Sequence, residues 1–213
     1  MSVYYPTVLE RALAVEGPIL TKKGELELLL KLAQTMPEGA VVVEIGSYRG
    51  RSTLAIAEGL EPVKGARLVA VDTFAGDPSW SEQTGADEAR AIFDHNTAGV
   101  SFLETIQAPS IVAATQVDAA SVDWVFIDGL HDYASVVADI RAWAPKLKSS
   151  GLLSGHDWGM HTVRDGVLRF FPFDQVDVEY NIWMTRATPR LRPMRIISNQ
   201  ARRVFRSAAG AVS

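Results

Sequence analysis

Cysteine is absent from all 213 residues, which excludes disulfides, thiolate zinc sites and cysteine nucleophiles together. Any metal must therefore be held by oxygen and imidazole. No run of eighteen apolar residues occurs, and no charged-then-apolar leader follows Met1, so neither a membrane span nor a secretory signal is expected and a cytoplasmic location follows. A Gly-Lys-Ser/Thr phosphate loop is missing as well, which argues against a Walker-type nucleotide site. Acids are missing from residues 186–213, which carry seven arginines; a net charge of −4 overall thus hides −11 on residues 1–185.

What remains is a chain with 47% hydrophobic residues, enough for one well-buried domain and too short for two of ordinary size. Apolar residues at Leu26, Leu29, Leu30 and Ala33 recur at helical spacing and predict a helix over 23–36. Strand 41–45, helix 52–60 and strand 67–71 then form a β-α-β unit, which implies parallel strands. A helix over 88–96, a strand over 101–107, a short apolar strand over 122–127, a helix over 133–147 and a strand over 152–154 follow. Residues 173–180 and 182–186 read as a strand pair at the sheet edge. The divisions are an N-terminal segment 1–22, a domain 23–186 and a basic tail 187–213. The apolar stretch from Val3 to Leu20 has no assigned partner in the sheet, so a homodimer is expected. The tail, with Ile196, Ile197, Val204 and Phe205 among its arginines, reads as a solvated terminus or as an amphipathic helix touching a membrane surface, an anionic substrate or a second subunit.

The most informative stretch runs from Val41 to Thr53, where an apolar strand ends in Glu44-Ile45-Gly46 and turns through Ser47, Tyr48, Arg49 and Gly50 into a helix. Such a turn lets a ligand lie against backbone and helix N-terminus. Glu44 would repel a phosphate, so a cationic or zwitterionic ligand is expected. Glu44, Asp72, Asp128 and Asp157 all lie at or near predicted strand carboxyl ends, where open α/β sheets bind ligands.

On these residues the chain resembles the class I S-adenosylmethionine-dependent methyltransferases, over roughly Gly24 to Arg186. The resemblance implies an α/β fold: a single Rossmann-like domain with a seven-stranded, mostly parallel sheet and an antiparallel last strand. It also implies that Glu44, Gly46, Ser47, Tyr48, Gly50 and Ser52 hold the methionine part of S-adenosylmethionine, with Tyr48 and Ser52 as hydroxyl partners. Asp72 would take the ribose hydroxyls, Ser110 the adenine edge, and Asp128 would border the cofactor. The Gly46-x-x-x-Gly50 spacing disfavours a nicotinamide site.

Two further segments, Phe126 to Tyr133 and Gly151 to Trp158, resemble the metal-dependent O-methyltransferases of catechols and of macrolide sugars. The resemblance implies a divalent cation held by Asp128 and Asp157, with His156 as a third ligand, substrate contact or loop cap. Hard oxygen ligands point to Mg2+, with Mn2+ as a substitute. Metal coordination lowers the pKa of a hydroxyl, and His131 stands where a general base is expected. Catechol-type relatives carry lysine at that position and asparagine after the fifth-strand acid, where this chain has Trp158. The expected acceptor is therefore a hydroxyl of a sugar, oligosaccharide or glycosylated metabolite. The alternatives are a catechol or phenol O-methyltransferase and an iron-binding, hydroxylase-like relative using two histidines and a carboxylate. Nucleic acid is not expected as a partner, because the main body is acidic and no Asp/Asn-Pro-Pro-Tyr/Phe signature is present. Trp80 and Trp158 read as sugar-stacking or as packing residues, His95-Asn96 as pocket or structural residues, and Asp132 as a helix cap.

Overall fold

The computed structural model describes residues 8–15, 21–76 and 85–186. Trp80 and the basic tail from residue 187 lie outside them. Side chains alternate across a strand, and β1 (Val41–Ile45) shows the consequence: Val42 faces one core layer and Val43 and Ile45 the other. β2 (Arg67–Asp72), β3 (Leu103–Gln107), β4 (Val122–Ile127) and β5 (Leu147–Gly155) continue the sheet, and β6 (Asp177–Glu179) and β7 (Ile182–Thr185) complete it. The order is β3-β2-β1-β4-β5-β7-β6. All pairings up to β5 are parallel, while β7 is antiparallel to both β5 and β6 and alone runs against the rest. This is the expected fold. One detail of the hairpin differs: β7 lies inside, β6 forms the edge, and Phe173–Gln175 is a 3-10 turn rather than strand.

Helices cover both faces. α1 (Val8–Ala14), α2 (Lys23–Gln34) and α3 (Arg51–Leu60) bury Leu26, Leu29, Leu54, Ile56 and Leu60 against Val42, Leu68, Trp124 and Phe126. On the opposite face α6 (Tyr133–Trp143) and α7 (His161–Leu168) bury Val136, Ile140, Trp143, Val163 and Val167 against Val43, Val125 and Leu153. Trp124 and Trp143 are both fully buried and both find a hydroxyl for their indole N–H: Ser154 Oγ at 2.7 Å and Ser110 Oγ at 2.8 Å. α4 (Ala86–Thr97) seats Phe93 against Phe74, and the short α5 (Ser110–Ala113) follows β3 and packs near α6.

The described part of the N-terminal segment finds its partner inside its own chain. Ala12 is fully buried, Leu13 and Val15 pack on the same layer, and Arg11 Nη2 donates to the Asn96 carbonyl at 2.8 Å. Ala12, Leu13 and Val15 are thus packed within the chain itself, on the layer of α2 and α3. Two boundaries also move. The helix expected over 133–147 ends at Trp143, because Pro145 lies in a 3-10 turn, and Leu147 already pairs with Val122 as the start of β5. Residues 161–168, to which the sequence pattern assigned no element, form α7 (His161–Leu168).

Candidate active site

The carboxyl ends of β1, β2 and β4, the loop after β5 and the chain ahead of α2 enclose a cleft of about 750 Å3. The glycine turn forms one wall. Gly46 has φ of 86°, and a Cβ there would lie 2.1 Å from the Asp128 carbonyl oxygen. Glycine is therefore demanded by the neighbouring β4 loop as well as by any ligand. Gly50, also at φ 86°, faces α4 instead: a Cβ would lie 3.0 Å from Thr97 Cγ2. Asn96 closes this contact by donating from Nδ2 to the Arg49 carbonyl at 2.8 Å, which makes its role structural.

Among the described residues, Gly46, Ser47, Tyr48, Ser52, Asp72, Ser110, Asp128, His131, His156 and Asp157 line the cleft, whereas Glu44 and Gly50 do not. Glu44 lies under the turn with no exposed surface. Thr53 donates its hydroxyl to Glu44 Oε2, and the hydroxyls of Ser52 and Ser47 face the same carboxyl group. Burial outweighs these hydrogen bonds and pushes the Glu44 carboxyl up to about 7. The expectation of direct ligand contact is corrected for Glu44 and Gly50, which support the turn from beneath and behind. Ser52 reaches the cleft, but its hydroxyl is engaged with Glu44.

Asp72 is fixed by two backbone donors, Tyr48 N to Oδ2 at 2.7 Å and Phe74 N to Oδ1 at 2.6 Å. Each oxygen keeps a lone pair for a ligand hydroxyl.

Across the cleft floor, Asp128, His131 and Asp157 bring one ligand-competent atom each to within 4.8 Å of the others. His131 Nε2 lies 2.8 Å from Asp157 Oδ2. Asp157 takes a left-handed backbone conformation, φ 59°, which aspartate tolerates better than most residues. It is held there by Asn181, whose Nδ2 donates to Asp157 Oδ1 at 3.1 Å and whose Oδ1 accepts from Gly159 N at 2.8 Å. His156 adopts a different place from the one expected of a third ligand. Its Nδ1 lies 3.6 Å from Asp128 Oδ1 and 3.2 Å from Asp157 Oδ2, and its Nε2 turns away to Glu25 Oε2 at 3.4 Å. Burial opposes charge on this imidazole, yet the hydrogen bond to Asp157 and the charges of Asp128, Asp157 and Glu25 outweigh it and push His156 up to about 9. The third vertex of the cluster is His131.

The two carboxyl groups differ in consequence. Burial raises Asp128 to about 6, with Asp157 adding to the effect and His156 opposing it. At Asp157 burial is overcome by hydrogen bonds from His131 and His156 and by their charges, which hold it well below the usual carboxylate range. Two converging carboxylates and an imidazole, all hard or borderline donors, fit a divalent cation.

Sequence reasoning passed over Glu25, Asn181 and Asp139. Glu25 is 4% exposed on the face of α2 that otherwise buries Leu26 and Leu29, and its carboxylate also accepts from Lys22 N at 2.5 Å. An acid at an apolar-face position was the legible signal for both Glu25 and Asp139; Asn181 sits in a hairpin turn and gave none. Asp132 caps α6, accepting from Ala134 N and Ser135 N at 3.0 Å. Trp158 packs on Phe173, with ring centroids 6.2 Å apart.

A methyltransferase-domain family model matches residues 43–158, more than half of the chain, and the chain belongs to that family. An uncharacterized Sinorhizobium fredii protein, y4gI, is 28% identical over 131 residues; the match spans 61% of this chain but only 14% of that longer protein. Among solved structures, the S-adenosylhomocysteine-bound Podospora anserina methyltransferase PaMTH1 superposes with a TM-score of 0.61 at 14% identity, covering 84% of this chain and 87% of that one. CalS11, a TDP-rhamnose 3'-O-methyltransferase of calicheamicin biosynthesis, superposes with a TM-score of 0.51 at 15% identity, covering 76% and 77%. The fold is that of the class I methyltransferases. No helix among the described residues is long and apolar enough to cross a membrane.

Proposed function

We propose that the chain is an S-adenosylmethionine-dependent O-methyltransferase, assisted by Mg2+ or Mn2+, that methylates a hydroxyl of a sugar, oligosaccharide or glycosylated metabolite. The observation that carries this is the placement of Asp128, His131 and Asp157 in the same cleft as the glycine turn and Asp72. Asp128 and Asp157 would hold the cation, which when bound lowers the pKa of an acceptor hydroxyl. Asp157 accepts a hydrogen bond from Nε2–H of His131, which orients the ring as a general base requires. Asp72 offers two fixed oxygens to a vicinal diol. Catalysis then rests mainly on orientation of the acceptor oxygen towards the sulfonium methyl group.

Support for a sugar acceptor comes from histidine at 131, tryptophan at 158 and the fold likeness to a nucleotide-sugar O-methyltransferase. The iron-binding alternative needs two histidines and a carboxylate, whereas the cluster holds one histidine and two carboxylates.

Isothermal titration of chelator-stripped protein with S-adenosylmethionine, with and without Mg2+, tests the proposal together with Asp128→Asn. Cofactor binding that survives the substitution while Mg2+ binding and methyl transfer to a saccharide panel are lost is the expected result. Absence of cofactor binding under every condition would overturn the assignment; transfer to catechols but not saccharides would overturn its acceptor.

A further inference from the structure

Two residues in the first turn of α2 reach the segment that carries Asp157, although neither lines the cleft. Glu25 is one: a buried acid beside Leu26 and Leu29, its carboxylate meets His156 from a distant part of the chain. Gly24 is the other. A Cβ there would lie 2.9 Å from Tyr180 Cε1 and Cζ, so the tyrosine ring rests on bare helix backbone. Tyr180 turns the chain with φ of 53° and is followed by Asn181, whose Nδ2 donates to Asp157 Oδ1 at 3.1 Å. Both routes end on Asp157. The turn they start from is itself braced: Lys22 N donates to Glu25 Oε2 at 2.5 Å, and Arg51 Nε, at the start of α3, donates to the Thr21 carbonyl at 3.0 Å.

Competition for lone pairs decides what Glu25 does. An imidazole N–H and a divalent cation seek the same carboxylate oxygens. His156 Nδ1 stands 3.2 Å from Asp157 Oδ2 and 3.6 Å from Asp128 Oδ1, and the second distance is too long for a hydrogen bond. On the other side of the ring, Nε2 makes no hydrogen bond among the described residues and faces Glu25 Oε2 at 3.4 Å. That contact is one of charge and not of aligned donor and acceptor. Attraction from Glu25 therefore opposes closure of the imidazole onto both aspartates. Without it, the ring would settle on the oxygens that a cation needs.

Building on the cation-assisted reading of the cleft, we infer that Glu25 is a positioning residue that holds His156 back so that Asp128 and Asp157 stay open to a divalent cation. Tyr180, seated on Gly24, steadies Asp157 from the other side through Asn181. The first turn of α2 is thus the support on which the cation end of the cleft is set.

The test is titration of the full chain with Mn2+, read from the paramagnetic resonance signal of the free ion, beside titration with S-adenosylhomocysteine. The competing role for Glu25 is that of a plain cap for α2, and Glu25→Gln separates the two. Glutamine keeps an oxygen for Lys22 N, as a capping box allows, but lacks the charge that faces His156. Glu25→Gln should weaken Mn2+ binding about tenfold, the usual size for loss of a group behind metal ligands, with S-adenosylhomocysteine affinity and melting temperature little changed. Tyr180→Ala should weaken Mn2+ binding in the same selective way; Tyr180 is 65% exposed, so this variant keeps the inference testable should Glu25→Gln not fold. Unchanged Mn2+ affinity in Glu25→Gln, or an equal loss for both ligands, would overturn the role of Glu25 and leave the cation reading standing. Unchanged Mn2+ affinity in Tyr180→Ala would overturn the role of the hairpin. Should wild type itself bind no Mn2+, the cation reading fails and this inference with it.

Discussion

Glu44 carries the sharpest consequence of a single side chain. Its carboxyl is raised from 4.5 to about 7, chiefly by burial, so the folded protein keeps a proton that the unfolded chain releases. Stability from this source is fully present below pH 4.5 and is lost as pH rises through about 7. Glu44→Gln removes the titration while retaining a carbonyl acceptor for Thr53. Guanidinium unfolding at pH 5 and pH 8 should show the variant losing less stability than wild type across that interval, by up to about 3 kcal/mol; parallel losses in both proteins would contradict the assignment. The sequence placed Glu44 at the right point in the turn but could not say which way it points. That depends on Ser47, Ser52 and Thr53 enclosing it, and Ser52 and Thr53 come from the first turn of α3.

At the scale of elements, α2 and α3 cross at Gly59. A Cβ there would lie 2.3 Å from the Leu30 carbonyl oxygen and 2.5 Å from Ala33 Cβ. In an exposed helix Gly→Ala adds about 1 kcal/mol. Here the neighbour at the shorter distance is backbone and cannot rotate away, so Gly59→Ala should destabilise by about 1–3 kcal/mol instead, read as a lowered denaturant midpoint at unchanged slope. An increase in stability would mean that the two helices are further apart. Helices and strands with a clean period were legible: the apolar face of α2 and the valine run of β1 appeared where their spacing put them. α7 was not, because His161, Arg164 and Asp165 dilute its pattern and its helical state rests on Val163 and Val167 packing against α6. β5 was half legible. Its Leu147 pairs with Val122, and Lys148, Ser149 and Ser150 fall where the register to β4 shifts before Leu152 pairs with Trp124.

For the whole molecule, the proposed cation site would link folding to cation binding through the Asp128–Asp157 pair. A ligand that binds only the folded state stabilises it by about 2.7 kcal/mol at a hundred times its dissociation constant, which for a domain of this size is a rise in melting temperature of about 5–10 °C. Mg2+ or Mn2+ should produce such a rise at pH 7.5 and a much smaller one at pH 5, where Asp128, raised to about 6, must first give up a proton. Differential scanning calorimetry against a chelator control reads this directly. A shift of equal size at both pH values, or its persistence in Asp157→Asn, would remove the carboxylate pair as the binding site. The acids at the strand ends were visible in the chain as a set, since each follows an apolar run. The pairing of Asp128 with Asp157 followed from the family resemblance alone, and the supports from Glu25 to His156 and from Asn181 to Asp157 were not visible, because they join segments distant in sequence.

The inside position of β7 has a further consequence in time. Translation delivers the glycine turn and Asp72 with the first two strands, but Asn181, which steadies Asp157, arrives only with the hairpin that carries β7. Until Ile182–Thr185 has left the ribosome, β5 lacks its antiparallel neighbour and Asp157 its anchor. A nascent chain therefore has the glycine turn before it has a seated Asp157, and that end of the cleft is completed after the turn.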